Sequence, residues 1–168
     1  MKKALLFGLL MVFVLGSMSF AAVKYGVGGS VGTNSFYSQP TLVVNVDDAY
    51  DVVFGYASSG TGDGEEAQNR LLLGGTWYTM KYGTLLAGPS LYYYSKGTNT
   101  GGGTKAVDYT ETHTILGFTA KGALTSFMDL KADVVVFDGI AGQSAGNAIK
   151  GYNTVLSTFQ LSGIFYFM

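Results

Sequence analysis

From residue 22 onward the chain is a succession of about eight stretches in which apolar residues alternate with small or polar ones, joined by connections that are alternately short and long. A period of two sends successive side chains to opposite faces of a strand. Alternating short and long connections gather the tight turns at one end and the long loops at the other. The predicted fold class is therefore all-β, an eight-stranded antiparallel up-and-down barrel over residues 22–168, and its two ends are expected to face different compartments.

The faces sort by polarity. In the sixth stretch Thr112, Thr114, Leu116, Phe118 and Ala120 alternate with Glu111, His113, Gly117, Thr119 and Lys121, so every ionisable group falls on one side. The seventh sets Leu130, Ala132, Val134 and Val136 against Asp129, Lys131 and Asp133, and the last sets Val155, Phe159, Leu161, Phe165 and Phe167 against Thr154, Thr158, Gln160 and Ser162. The fifth divides Leu85, Ala87, Pro89, Leu91 and Tyr93 from Leu86, Gly88, Ser90, Tyr92 and Tyr94. Four earlier strands, Val23–Thr33, Thr41–Val46, Val52–Ser58 and Arg70–Thr79, are less sharply patterned. An apolar outside around a polar inside inverts a soluble barrel and fits a transmembrane one. Closure follows, because an open sheet edge in hydrocarbon leaves backbone N–H and C=O groups unpaired at several kcal/mol each. Composition agrees: 25 glycines, 14% aromatic residues and 12% charged residues depart from the roughly 25% charge of an ordinary soluble domain.

The first 21 residues read as a cleavable signal peptide. Lys2 and Lys3 precede an apolar run, Ala4–Leu15, too short to span a bilayer, and the small residues Ser19 and Ala21 suit cleavage before Ala22. An uncleaved anchor is the competing reading. Removing Lys2 and Lys3 from 10 basic residues leaves 8 against 11 acidic ones, a net charge of −3, which argues against nucleic acid as a partner. The absence of cysteine excludes both a lipidated cysteine and disulfides.

Short connections fall at Asp47–Asp51, Thr79–Gly83 and Gly122–Met128, and longer ones at Asn34–Pro40, Ser58–Asn69, Ser95–Asp108 and Asp138–Gly151. An even strand number puts both termini on the short-turn side, the periplasmic side of such barrels. Two aromatic girdles are expected. Phe54, Tyr56, Tyr92, Tyr93, Tyr94, Tyr109 and Tyr152 would ring the long-loop end, and Trp77, Tyr78, Tyr82, Phe165, Tyr166 and Phe167 the short-turn end. Pro89 donates no ladder hydrogen bond, which predicts a bulge or gap.

These patterns resemble the small eight-stranded outer-membrane barrels, such as outer-membrane proteins A, X and W. The resemblance covers essentially all of residues 22–168. Its most specific element is the C-terminal strand Phe159, Leu161, Gly163, Phe165 and Phe167, which looks like the signal read by the barrel assembly machinery, although Met168 follows the last aromatic. The resemblance implies outer-membrane lipids and that machinery as partners, export by a signal peptide, and residence in the outer membrane of a two-membrane bacterium.

The inner-face charges Glu111, His113, Lys121, Asp129, Lys131 and Asp133 are the best candidate for a working part. Pairing through the turn at 122–128 would set Lys121 opposite Asp129, with Lys131 and Asp133 one and two rungs higher. An ion-pair network filling the lumen is one reading, since an eight-stranded bore can be filled by side chains. Interior glycines at positions 26, 28, 32, 88 and 117 support the other, a narrow passive pore or small-ligand conduit. A membrane-embedded lipid hydrolase is the second alternative. His113 and Glu111 share a face, but the serine that outer-membrane lipid-A enzymes carry two residues beyond the histidine is Ile115 here, and acyl transfer needs a nucleophile beside its base. No catalytic set, cofactor or metal is assigned. Asp63, Glu65 and Glu66 lack the repeated ligands of a calcium loop, and Asp47, Asp48 and Asp51 are expected to solvate a turn. The Gly- and Thr-rich stretches 97–104 and 141–148 suit surface display, where an extracellular ligand would meet the protein. A soluble periplasmic lipid-binding barrel would require the Phe159–Phe167 face to point inward.

Overall fold

A computed structural model describes residues 22–32, 39–59, 67–99, 109–144, 147–154 and 159–167. The expected signal peptide, the acidic loop at 63–66 and most of the long loops lie outside these residues. Ten strand segments follow one another: β1 (Val23–Gly32), β2 (Thr41–Val46), β3 (Tyr50–Ser59), β4 (Ala67–Trp77), β5 (Met80–Tyr82), β6 (Leu85–Asn99), β7 (Tyr109–Thr125), β8 (Met128–Ser144), β9 (Asn147–Thr154) and β10 (Phe159–Phe167). All pairings are antiparallel, and β10 closes the ring by pairing with β1 on one side and β8 on the other. Because β5 continues β4 along β6, and β10 continues β9 along β8, the ten segments form a closed eight-stranded barrel.

The break between β4 and β5 is the irregularity expected at Pro89. Thr76 pairs with Ser90 and Met80 with Ala87, so three residues of one strand oppose Gly88 and Pro89 of the other. The bulged chain passes so close that a Cβ on Gly88 would collide with the Trp77 carbonyl oxygen, an approach that only glycine permits. At the turn after β2, Asp47 and Asp48 hold φ of 54° and 52°, a left-handed conformation that Asp tolerates better than most residues.

Two expectations about connections need correction. Residues 138–151, expected as a loop, are largely strand: β8 runs to Ser144 and β9 starts at Asn147. Their Gly, Ser and Asn content disguised an extended hairpin. The turn expected at 122–128 is shorter, at Ser126–Phe127, with an irregularity between Ala123 and Thr125. Lys121 therefore lies opposite Lys131, not Asp129, and Asp129 lies opposite Ala123.

Strands β7 and β8 have 17 residues each, whereas about 9–11 tilted residues cross a bilayer. The β6–β9 side accordingly stands beyond the height of the short β2 wall. Outside, Val27, Leu42, Phe54, Leu91, Leu116, Phe118 and Phe165 are exposed, while Lys121, Lys131, Asp133 and Thr119 are buried inside. The expected girdles are only partly on the outside. Tyr93, Phe54, Tyr56, Trp77, Tyr82, Phe165 and Phe167 are exposed, and Trp77 stacks on Tyr50 at 6.4 Å. Tyr92, Tyr94 and Tyr78 are buried, because period two forces Tyr92 and Tyr94 to the face opposite Tyr93.

Candidate functional site

The inward polar side chains form three storeys from the short-turn end upward. The lowest centres on Lys121, delivered by β7. Its Nζ donates to Asp51 Oδ1 at 2.9 Å and to the Tyr166 hydroxyl at 3.3 Å, lies 3.6 Å from Asp129 Oδ2, and sits 4.8 Å from the Tyr78 ring centroid. Asp51 also accepts from Asn45 Nδ2 at 2.7 Å and from the Tyr78 hydroxyl at 2.6 Å. Asp51 was expected to solvate a turn; it is 1% exposed, and three donors replace the water it loses. A buried charge persists only with such partners.

In the second storey Lys131 from β8 lies 3.4 Å from Asp133 Oδ1 and donates to the Tyr92 hydroxyl. Tyr92 reaches down from β6 to Asp133 at 3.1 Å and to Thr76 at 3.1 Å, and Thr119 completes the set through Asp133 and Thr76. Gly74 makes this possible, since a Cβ there would collide with Tyr92 Cδ1. An apolar cluster of Val43, Val53, Leu72, Ile115, Val135 and Ile164, buried with Tyr92 and Tyr94, runs alongside these groups: Val43, Val53 and Ile164 border the same small cavity as Lys131 and Asp133, and Ile164 lies opposite Asp129. The third and uppermost polar storey holds His113. Its Nδ1 lies 2.9 Å from Asp138 Oδ1, its Nε2 lies 3.2 Å from Glu111 Oε1, and Tyr109 donates to Glu111.

The six charged residues singled out in the sequence thus all line the lumen, but in three groups rather than one. Lys121 and Asp129 belong to the bottom, Lys131 and Asp133 to the middle, and Glu111 and His113 to the top. Sequence reading missed Asp51, Asp138 and the apolar cluster. Period two counted from Asp133 to Val135, and from His113 to Ile115, would have revealed two of its members. Asp138 follows no such count, because a register shift between Leu116 and Gly117 leaves β8 one residue longer there. Val136 and Phe137 both face outward, and Asp138 turns in.

Among the described residues, little space remains beside the Lys131–Asp133 group. A cavity of about 20 Å3, bounded by Gly28, Ser30, Thr41, Tyr92, Lys131, Asp133 and Gln160 among others, has room for about one water. The buried Gln160 Oε1 has no protein partner among the described residues, and such a water would satisfy it. No group of three or more His, Cys, Asp and Glu side chains among the described residues is arranged to hold a metal ion.

A closed barrel that exposes its apolar residues and buries its charges defines a class: an eight-stranded β-barrel of the outer-membrane type. No family model matches the sequence, and no curated protein matches it. Among solved structures the chain is similar to a major outer membrane protein from Thermus thermophilus, at 14% identity over 87% of this chain and 100% of that one, with a TM-score of 0.44. It is also similar to CarO of Acinetobacter baumannii, at 10% identity over 86% of this chain and 98% of that one, with a TM-score of 0.42.

Proposed function

We propose that this chain is an integral outer-membrane barrel with a closed lumen, serving a structural or surface-interaction role without chemistry of its own. The observation that carries this reading is that paired charges and the apolar cluster fill the lumen around Lys131, Asp133 and Tyr92, with room there for about one water. An ion crossing this level would shed its hydration among packed Val and Ile side chains and charges that already have partners, and a filled constriction of that kind stops conduction by excluding water. The buried charges act as a cross-brace between β3, β6, β7, β8 and β10. His113 is oriented away from lipid and held on both ring nitrogens by carboxylates, which speaks against a lipid hydrolase built on it. Short turns on the periplasmic side would leave the extended β6–β9 side as the surface offered to the exterior.

Single-channel recording on the refolded barrel in a planar bilayer tests the closed lumen. The expected record is silent for the wild type and for Lys131→Ala, with folding checked by circular dichroism and the heat-dependent gel shift. Discrete steps whose selectivity changes in Lys131→Ala and Asp133→Ala would establish the conduit instead.

A further inference from the structure

Below the Lys121 storey the lumen widens into a cup of about 210 Å3 open at the short-turn end, bordered by Lys24, Asp48, Lys81, Gly83, Thr84, Leu86, Lys121, Ala123 and Asp129. Its charges are unequally committed. Lys24 pairs with Asp48 at 3.0 Å on the rim, and Lys121 on the floor is shared by Asp51 and Asp129. Lys81 sits on the inward side of β5, opposite the buried Leu86, while Met80 and Tyr82 point outward. Among the described residues it enters no ion pair. Three ammonium groups thus face one small space in which both bordering carboxylates already have a lysine.

We propose that this cup is a binding site for a small, free oxyanion of the phosphate class, with Lys81 as its principal contact and Lys24 as a second once its rim pair opens. The volume falls below the roughly 300–1,000 Å3 of sites for drug-sized ligands, so the guest is small. A multiply charged oxyanion can meet several ammonium groups at once, and each charge-assisted hydrogen bond is stronger than its neutral counterpart. The rim pair is solvated, with the two side chains 50% and 39% exposed, so exchanging Asp48 for another anion costs Lys24 little. The cup opens along the barrel axis, away from the lipid wall, which favours a dissolved anion over a phospholipid headgroup.

The test is a titration of the full refolded barrel with inorganic phosphate in neutral-lipid nanodiscs, read by the amide resonances of Lys81 and Asp48. A parallel arm contains phosphatidylglycerol and no free phosphate. Saturable shifts at these residues are expected only in the first arm. Lys81→Gln should weaken binding by about fivefold, the worth of one exposed ion pair. Asp48→Asn should tighten it by freeing Lys24, and it keeps a residue type that accepts the left-handed turn. Lys96→Gln, on β6 near the other end, should change nothing. Opposite signs for the first two variants separate binding from a loss of fold, which the gel shift monitors. Non-saturating shifts, an unchanged Lys81→Gln, equal effects in all variants, or shifts only with phosphatidylglycerol would each overturn the proposal.

Discussion

Two lysine–aspartate pairs near the same end of the barrel have almost the same geometry and opposite surroundings. Lys24 and Asp48 meet at 3.0 Å on the rim with side chains 50% and 39% exposed, while Lys121 and Asp51 meet at 2.9 Å on the floor with side chains 2% and 0% exposed. Distance alone would rank them equal. Burial separates them: water competes for the rim pair, whereas the floor pair has surrendered its hydration to Asn45, Tyr78 and Tyr166. The floor pair is therefore costly to break and the rim pair is not.

The sharpest way to break this contrast is Asp51→Ala, which leaves the buried Lys121 ammonium with only the looser Asp129 contact at 3.6 Å as its counter-charge among the described residues. A loss of about 3–5 kcal/mol is expected, measured by denaturant unfolding in micelles and followed by the gel shift. Replacing both partners, as Lys121→Met with Asp51→Leu, should recover much of that loss, since a buried pair and a well-packed apolar pair are often nearly equivalent. No recovery would mean that Lys121 and Asp51 also hold their other partners in place. A charge placed outside tests the converse burial. Leu91→Lys, amid the lipid-facing belt, should cost about 2–4 kcal/mol, and Tyr82→Lys near the interface about 0–1 kcal/mol.

The rim pair gives the smallest effects. Lys24→Ala should change stability by no more than about 1 kcal/mol, and less in high salt. Partial burial pushes the Asp48 carboxyl up, but the Lys24 hydrogen bond and charge, with Lys121 and Lys81 behind it, outweigh this and hold it below its ordinary value of 3.8. A lowered carboxyl stabilises the folded state above that ordinary value, and the contribution fades as pH falls below it. Unfolding midpoints between about pH 5 and pH 2 should therefore drop slightly more for the wild type than for Asp48→Asn.

Where one period governed, the sequence was legible. The outward set Phe159, Phe165 and Phe167 and the inward set Lys121, Lys131 and Asp133 follow from alternation, as does closure into eight strands. The girdle residues Tyr92 and Tyr94 were misassigned because height along the strand was weighed before face. Asp51 was misread because its neighbours Asp47 and Asp48 are turn residues, and only the fold brings Lys121 from 70 positions away to meet it. The register of β7 on β8 depended on the length of one turn, which composition does not specify.

The register shift on β8 has a consequence for the whole upper barrel. Asp133 and Asp138 are five residues apart, and in an unbroken strand an odd separation would send one of them into lipid. The extra residue at Val136 works as a phase slip that separates the length of the chain from the side it presents. Deleting Val136 should thus be tolerated, restoring strict alternation with both carboxylates still inside. The same deletion at Ala120, where β7 has no extra residue between His113 and Lys121 to absorb it, would force either Lys121 below it or His113 above it onto the wrong side of the wall.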